Sequence, residues 1–189
     1  MICVTIGRGR HSSLAEEWKA AAEAGVELVE LRLDCLRRDP DLKRILKDRP
    51  TPAVFTIRRG VDGGLWRGNE DRRQQLLREA VALGVDYVDL EMDIAPKIRR
   101  FGKTKRIVSY HNFNEVPGDL EEIYAFALQK FRRRDEMLLL CAASERNNRW
   151  MLEEKQDVLR NGAGDSIARN VTLQLERFAV TESAEGHRP

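Results

Sequence analysis

The chain has 189 residues, of which 33 are Lys or Arg, 31 are Asp or Glu and three are Cys, so its formal net charge is +2. A hydrophobic share of 42% beside 34% charged residues can build one sizeable core, which excludes a disordered, collagen-like or disulfide-scaffold chain. The longest apolar run, Met137 to Ala143, is too short to span a membrane, and the near-neutral charge gives no reason to expect nucleic acid as a partner.

Short β-branched apolar runs alternate with longer stretches of helical periodicity over the first two thirds of the chain. The runs predict strands at Ile2 to Ile6, Leu28 to Leu33, Ala53 to Ile57, Tyr87 to Met92 and Arg106 to Tyr110. The intervening stretches predict helices at Ser13 to Ala24, Pro40 to Asp48, Asn69 to Leu83, Ile94 to Phe101 and Asp119 to Lys130. Ser12 or Ser13 is the expected N-cap of the first helix. This alternation predicts a parallel sheet, either doubly wound or closed into a (β/α)8 barrel.

Polar residues near the strand ends favour the barrel. They recur two apart, at Glu30, Arg32 and Asp34, at Thr56 and Arg58, at Asp89, Glu91 and Asp93, and at Ser109 and His111. Side chains two apart share one face of a strand, and at the mouth of a barrel such faces converge on a polar pocket. No Gly-x-Gly-x-x-Gly follows the first strand, so the dinucleotide signature of the doubly wound fold is missing. We therefore predict an α/β fold of the (β/α)8 TIM-barrel type.

The character of the chain changes after residue 130. Residues 1–130 are predicted to form five βα units, residues 131–180 a divergent segment of mixed helix with one strand at Met137 to Ala143, and residues 181–189 a polar tail. A complete barrel usually takes about 200 residues or more, so we expect this one to be incomplete or irregular after the fifth unit. The odd number of Cys, without a CxxC pair, and the lack of an export signal predict a cytoplasmic protein.

The segment ELRLD carries the strongest chemical signal. Glu30, Arg32 and Asp34 would lie in one row on the second strand, and Arg58 at the end of the third strand adds a second guanidinium. Two arginines on neighbouring strands can clamp a carboxylate or a phosphate through paired hydrogen bonds. A surface ion-pair ladder is the alternative interpretation of the same residues.

His111 ends the fifth strand in SYHNF, at the catalytic edge of such a barrel, and is suited to proton transfer near neutral pH. The glycine-rich segment Gly60 to Gly68 follows the third strand and predicts a mobile cover over the pocket. No ligand spacing supports a metal site, so none is predicted.

Together, ICVTIG, ELRLD, FTIRRGVDGG, YVDLEMD and VSYHNF resemble type I 3-dehydroquinate dehydratase over residues 1 to about 130. The resemblance implies a (β/α)8 barrel and a shikimate-pathway lyase that dehydrates 3-dehydroquinate to 3-dehydroshikimate through a Schiff base, without a metal or organic cofactor. It also implies that Thr5, Glu30, Arg32 and Arg58 bind the substrate and that His111 is the catalytic acid and base. Asp62, where the family usually has Glu, would orient that histidine. A homodimer is a further expectation.

One departure from the family pattern bears on activity. The family places its Schiff-base lysine on the sixth strand, and DEMLLLCAAS contains none. Lys130 and Lys155 are the nearest lysines in the sequence, and neither matches the motif, so no Schiff-base lysine is identified. We therefore expect weak or absent dehydratase activity. The alternatives are a non-catalytic binding or interaction module that keeps the pocket for small carboxylates, and another aldolase-like barrel enzyme that acts on a phosphorylated substrate. A frameshifted or rearranged gene downstream of residue 131 would explain why the resemblance ends abruptly there.

Overall fold

The computed structural model describes residues 3–112 and 117–131, together with the backbone of residues 136–142. The chain divides into two compact units, and the boundary between them falls inside the fifth strand, after Ser109. The predictions for residues 143–189, a mixed helical segment and a polar tail, lie outside the described residues.

The first unit is built on parallel strands. These are β1 (Cys3–Ile6), β2 (Leu28–Arg32), β3 (Ala53–Thr56), β4 (Tyr87–Glu91) and β5 (Lys105–Asn112). Each strand pairs in parallel with the next one along the chain, from β1 through to β5. The predicted strands agree with these bounds to within two residues. The prediction of a parallel α/β sheet is confirmed.

The register places the polar residues at common levels of the sheet. Thr5 lies opposite Glu30, Arg32 opposite Thr56, and Glu91 opposite Ser109. Because alternate residues share a face of a strand, Glu30, Arg32, Thr56, Asp89, Glu91 and Ser109 lie on one face, whereas Arg106 of β5 lies on the other. The residues between them are apolar and buried, and they are Val29, Leu31, Phe55, Val88, Leu90 and Val108.

Three helices of the first unit join the strands. They are α1 (His11–Glu23), α2 (Leu42–Ile45) and α3 (Glu70–Ala82), with α1 packed on β1 and β2 and α3 packed on β4. Leu14, Trp18, Leu76 and Leu77 are each at most 1% exposed and form the helical side of the core. Asn69 caps α3 by accepting a 2.8 Å hydrogen bond from the backbone N–H of Arg72. The predicted cap of α1 is wrong, because Ser12 and Ser13 lie inside that helix and Arg10 precedes it without a side-chain cap.

The connection between β4 and β5 contains no α-helix. The helix predicted over Ile94 to Phe101 is wrong, since only a 3-10 turn at Ala95–Lys97 forms. The buried guanidinium of Arg106 donates to the carbonyl oxygens of Ala95 at 2.9 Å and Ile98 at 2.6 Å. A continuing helix would need those two carbonyls for its own hydrogen bonds, so Arg106 holds the segment in a non-helical path.

The second unit begins at Tyr110 in β5 and contains α4 (Leu120–Phe131) and, apart from Glu136, the strand β6 (Glu136–Ala142). Both agree with the predicted helix over Asp119 to Lys130 and the predicted strand over Met137 to Ala143. In the strand order β6 follows β5. Within the described residues, no helix is long and apolar enough to cross a membrane.

Candidate active site

Glu30 and Thr5 form the first element of the site. Glu30 lies in the middle of β2 with 7% of its surface exposed. The Thr5 hydroxyl on β1, directly opposite in the register, donates a 2.5 Å hydrogen bond to Glu30 Oε2. This bond fixes the orientation of a nearly buried carboxylate, so Thr5 acts on the site through Glu30. The structure brings these two predicted residues together.

Arg32 is the last residue of β2, and Asp34 follows it in a 3-10 turn over Leu33–Cys35. The predicted row of three residues on one strand therefore ends at Arg32. The turn carries the Asp34 carboxylate back to the Arg32 side chain, where it accepts from Nε at 2.9 Å and from Nη2 at 2.7 Å. This paired hydrogen bond raises the pKa of Arg32 above its usual range.

Arg58 lies two residues beyond β3 and is held in a closed triangle of buried groups. Its guanidinium is 3.1 Å from Asp89 Oδ2 on β4 and donates to Ser109 Oγ on β5 at 2.9 Å. Ser109 Oγ in turn donates to Asp89 Oδ1 at 2.8 Å. Burial alone would lower the pKa of Arg58, but Asp89, Glu91 and Glu30 outweigh it and raise that pKa. Arg58 thus stays charged at a fixed position.

Asp89 and Ser109 received no role in the sequence analysis, although both were noted among the alternating polar residues. Asp89 is 5% exposed and Ser109 is fully buried. Burial raises the pKa of Asp89, against the opposing charge of Arg58. The signal that identifies them is register, because parallel pairing places Asp89 opposite Ile107 and Glu91 opposite Ser109, so Asp89 and Ser109 lie on one face at adjacent levels of β4 and β5.

A second buried ion pair joins α3 to the end of β4. Arg73 of α3 donates to both carboxylate oxygens of Glu91, at 3.0 and 2.9 Å, and to the carbonyl of Ile57 at 2.7 Å. Its other side meets Glu70 in a paired hydrogen bond, at 2.8 Å for each contact. Arg73 is fully buried, and its place in a helix rich in charged residues gave no sequence signal for this role.

Asp62 lies in the 3-10 turn Gly60–Asp62, beyond β3. Its carboxylate accepts a 2.6 Å hydrogen bond from Arg59 Nε, and the same guanidinium donates to Asp93 at 2.9 and 3.0 Å. The partner that the structure gives Asp62 is therefore Arg59, and the orienting of His111 by Asp62 stays a prediction.

The loop Gly60–Gly68 is tethered to the strand ends. The backbone N–H groups of Gly64 and Trp66 donate to the carbonyls of Arg59 at 2.7 Å and Arg58 at 3.2 Å. Leu65 N donates to Asp34 Oδ2 at 2.9 Å. A side chain at Gly64 would collide with the carbonyl of Arg58, so this close approach requires glycine. These contacts fix one conformation of the loop, and its role as a mobile cover stays a prediction.

His111 lies one residue before the end of β5 and is half-buried. It belongs to the second unit, whereas Thr5, Glu30, Arg32, Arg58 and Asp62 belong to the first. Its place near the end of β5 is the one that the sequence predicts, whereas its catalytic role and its place in the site stay predictions.

The described cluster combines three carboxylates with two guanidiniums, those of Glu30, Asp34, Asp89, Arg32 and Arg58. Glu30 and Asp89 lie in the middle of β2 and β4, whereas Arg32, Asp34 and Arg58 lie at the C-terminal edge of the sheet. In α/β barrels this edge carries the active site. Among the described residues, no group of three or more His, Cys, Asp or Glu side chains is placed to hold a metal ion.

The sequence of the chain is similar to that of known proteins. Residues 2–131 match the family model for type I 3-dehydroquinase. The chain is 38% identical over 136 residues to a chloroplastic bifunctional 3-dehydroquinate dehydratase/shikimate dehydrogenase of Arabidopsis thaliana, covering 66% of the chain and 23% of that protein. It is 30% identical over 203 residues to a 3-dehydroquinate dehydratase of Coxiella burnetii, covering 98% of the chain and 84% of that protein.

The fold matches solved structures of the same family. A crystal structure of type I 3-dehydroquinate dehydratase from Clostridium difficile superposes with a TM-score of 0.64 at 23% identity, covering 86% of this chain and 71% of that one. The likeness confirms the TIM-barrel type of fold, which the described strands represent in part. The family model, which matches well over half of the chain, settles its membership. The chain belongs to the type I 3-dehydroquinase family.

Proposed function

We propose that the chain is a 3-dehydroquinate dehydratase-type hydro-lyase that binds 3-dehydroquinate at the Glu30, Arg32 and Arg58 cluster and turns it over weakly or not at all. The observation that carries the proposal is the pair of guanidiniums, those of Arg32 and Arg58, each fixed by a carboxylate at the C-terminal ends of neighbouring strands. Arg is the side chain best suited to bind a carboxylate through two parallel hydrogen bonds. Membership of the family supports 3-dehydroquinate as the acid that they bind.

The other groups of the cluster fit a polyhydroxylated substrate. Glu30 accepts hydrogen bonds and is fixed by Thr5, so it can hold a substrate hydroxyl in a defined orientation. Asp89 and Ser109 engage N–H donors of Arg58. These contacts hold the Arg58 guanidinium in the same position before and after a ligand binds. Fixed groups lower the entropy lost on binding and hold the reacting bonds in register.

His111 is the proposed acid and base. Dehydration removes a proton next to the carbonyl, the electrons of that C–H bond form the new C=C bond, and the neighbouring hydroxyl leaves as water. His111 would take the first proton and return it to the departing hydroxyl. Asp62 would orient the histidine with a carboxylate that also pairs with Arg59.

The electron sink is the missing part. Converting the ketone to a protonated imine makes the adjacent proton more acidic, and this step needs a lysine amine. The strand β6 has the sequence EMLLLCA, without a lysine. Lys130 sits in the last turn of α4, with its ammonium 5.0 Å from the centre of the Phe126 ring. We assign the Schiff-base role to neither Lys130 nor Lys155.

A direct test combines turnover with chemical trapping. The chain is incubated with 3-dehydroquinate, and product formation is followed by the absorbance of the conjugated product. A second sample is reduced with borohydride, and the mass of the protein is measured by mass spectrometry. We expect little or no product and no covalent adduct. An adduct on Lys130 or Lys155 would contradict the proposed limit on activity and identify the missing lysine.

The second candidate function is a non-catalytic module that binds small carboxylates through the same cluster. The absence of lysine from β6 favours it, because the binding residues persist without the imine-forming group. Measurable turnover would exclude this alternative.

A homodimer and a cytoplasmic location, both expected from the sequence, remain predictions that ultracentrifugation and cell fractionation can check.

A further inference from the structure

We propose that Asp34 is a positioning residue that orients the Arg32 guanidinium for an anionic ligand and couples that guanidinium to the loop Gly60–Gly68. The identity of the ligand rests on the proposed function, whereas the coupling to the loop rests on the geometry of Asp34 alone.

The Asp34 carboxylate is a buried junction between two parts of the site. Its side chain has no exposed surface and accepts three hydrogen bonds, two from Arg32 and one from the backbone N–H of Leu65. A buried carboxylate is stable only when its partners are in place, so the positions of Arg32 and Leu65 depend on each other. Oδ2 is the shared atom, since it accepts from both Arg32 Nη2 and Leu65 N.

Asp34 also selects the side of Arg32 that a ligand can reach. A guanidinium has five N–H donors in a rigid plane, and Asp34 takes one from Nε and one from Nη2. A carboxylate ligand must therefore approach the opposite end, formed by Nη1 and the second hydrogen of Nη2. The Arg32 side chain is 21% exposed, which is consistent with one occupied edge and one edge open to a ligand.

Without Asp34, other anions would compete for Arg32. Glu30, two residues earlier on β2, already acts on Arg32 through its charge. An arginine released by Asp34 would regain its rotamer freedom and could turn toward Glu30, which would occupy both the cation and the substrate-facing carboxylate. By holding Arg32, Asp34 thus prevents an Arg32–Glu30 ion pair and leaves both side chains able to contact a ligand.

The coupling predicts that the conformation of the loop Gly60–Gly68 depends on the contacts of Asp34 with Arg32 and with Leu65 N. Leu65 N tethers the loop to Asp34, in addition to the bonds that Gly64 N and Trp66 N donate to Arg59 and Arg58. Arg67, two residues further along, is exposed and forms a trypsin cleavage site. Loss of the Asp34 tether should therefore increase cleavage after Arg67.

A double-mutant cycle tests the positioning role. Binding of 3-dehydroquinate is measured by calorimetry for wild type, Asp34→Asn, Arg32→Ala and the double variant, with Asp39→Asn as a matched control, since Asp39 pairs with Arg72 on the surface. Loss of a charged hydrogen bond predicts about tenfold weaker binding for Asp34→Asn. If Asp34 acts through Arg32, the double variant binds no more weakly than Arg32→Ala. Losses that multiply, or wild-type binding by Asp34→Asn, would overturn the positioning role.

Trypsin cleavage after Arg67, measured without ligand, tests the coupling. We expect trypsin to cleave Asp34→Asn faster than it cleaves wild type and Asp39→Asn. Arg32→Lys keeps a cation beside Asp34, so it should be cleaved at the wild-type rate. The same variant should bind 3-dehydroquinate about tenfold more weakly, because lysine lacks the paired donors of arginine. Equal cleavage of Asp34→Asn and wild type refutes the coupling. If wild type binds no 3-dehydroquinate, the proposed function fails, and the cleavage result still decides the coupling. Asp34→Glu, which keeps the charge but displaces the carboxylate from Arg32 Nε, keeps the positioning role testable if Asp34→Asn does not fold, and wild-type binding by Asp34→Glu would overturn that role.

Discussion

Replacing Asp89 by Ala tests whether the buried triangle of Arg58, Asp89 and Ser109 is essential to the fold. The side chains of Arg58 and Asp89 are 6% and 5% exposed and their charged atoms are 3.1 Å apart. At an effective dielectric constant of about 20, Coulomb attraction at this distance is about 5 kcal/mol. Desolvation offsets much of that in the intact pair, but removing Asp89 deprives a buried guanidinium of the carboxylate that contacts it and leaves it only the longer-range charges of Glu91 and Glu30. Measured losses of this kind are about 3 to 5 kcal/mol.

Urea denaturation followed by circular dichroism gives the loss in unfolding free energy. Asp39→Ala is the matched control, because Asp39 and Arg72 are 2.9 Å apart but 60% and 35% exposed. Water and salt screen such a pair, so we expect a change below about 1 kcal/mol for the control. If Asp89→Ala loses no more than Asp39→Ala, the reasoning from burial is refuted.

Three further substitutions probe separate features of the first unit. Thr56→Val should leave stability unchanged or raise it slightly in urea denaturation, because the buried Thr56 hydroxyl has no hydrogen-bond partner within the described residues; a loss above about 1 kcal/mol would reveal a missed partner. Asn69→Ala should cost about 1 kcal/mol, and Asn69→Gly only a few tenths, since only the cap of α3 is lost; equal losses would point to another role. His11 accepts a 2.9 Å hydrogen bond from Asp41 N, and its pKa is lowered by burial and by Arg44. A lowered histidine pKa means that the unfolded chain binds the proton more readily, so stability should fall as the pH drops below about 6.5. His11→Gln should weaken this dependence in thermal melts between about pH 7 and 5, and an unchanged slope would contradict the assignment.

The parallel sheet could be predicted from sequence because strand and helix periodicities alternate regularly. The pairing of Thr5 with Glu30 and the polar face of β2 follow from that alternation once the register is known. Arg73 could not be predicted in this way. Within α3 it is one of several charged residues, and only the packing of α3 on β4 places it against Glu91.

The two clearest errors of the sequence analysis have physical causes. The apolar spacing of Ile94 and Ile98 is helical, but the side chain of Arg106, from the next strand, takes the carbonyls that a helix would use. Asp34 was placed on β2 by the period-two pattern, whereas the chain turns after Arg32 and brings the carboxylate onto the guanidinium. In both cases a long-range or turn-dependent hydrogen bond overrides a local pattern.

Calorimetric titration of the chain with 3-dehydroquinate, in parallel with Arg32→Ala, tests the central claim most directly. Because the proposed binding of 3-dehydroquinate does not require the imine, we predict saturable binding of one molecule per chain for wild type and binding that is at least about tenfold weaker, but still measurable, for Arg32→Ala. No binding by wild type, or undiminished binding by Arg32→Ala, would contradict the assignment of this cluster as the substrate site.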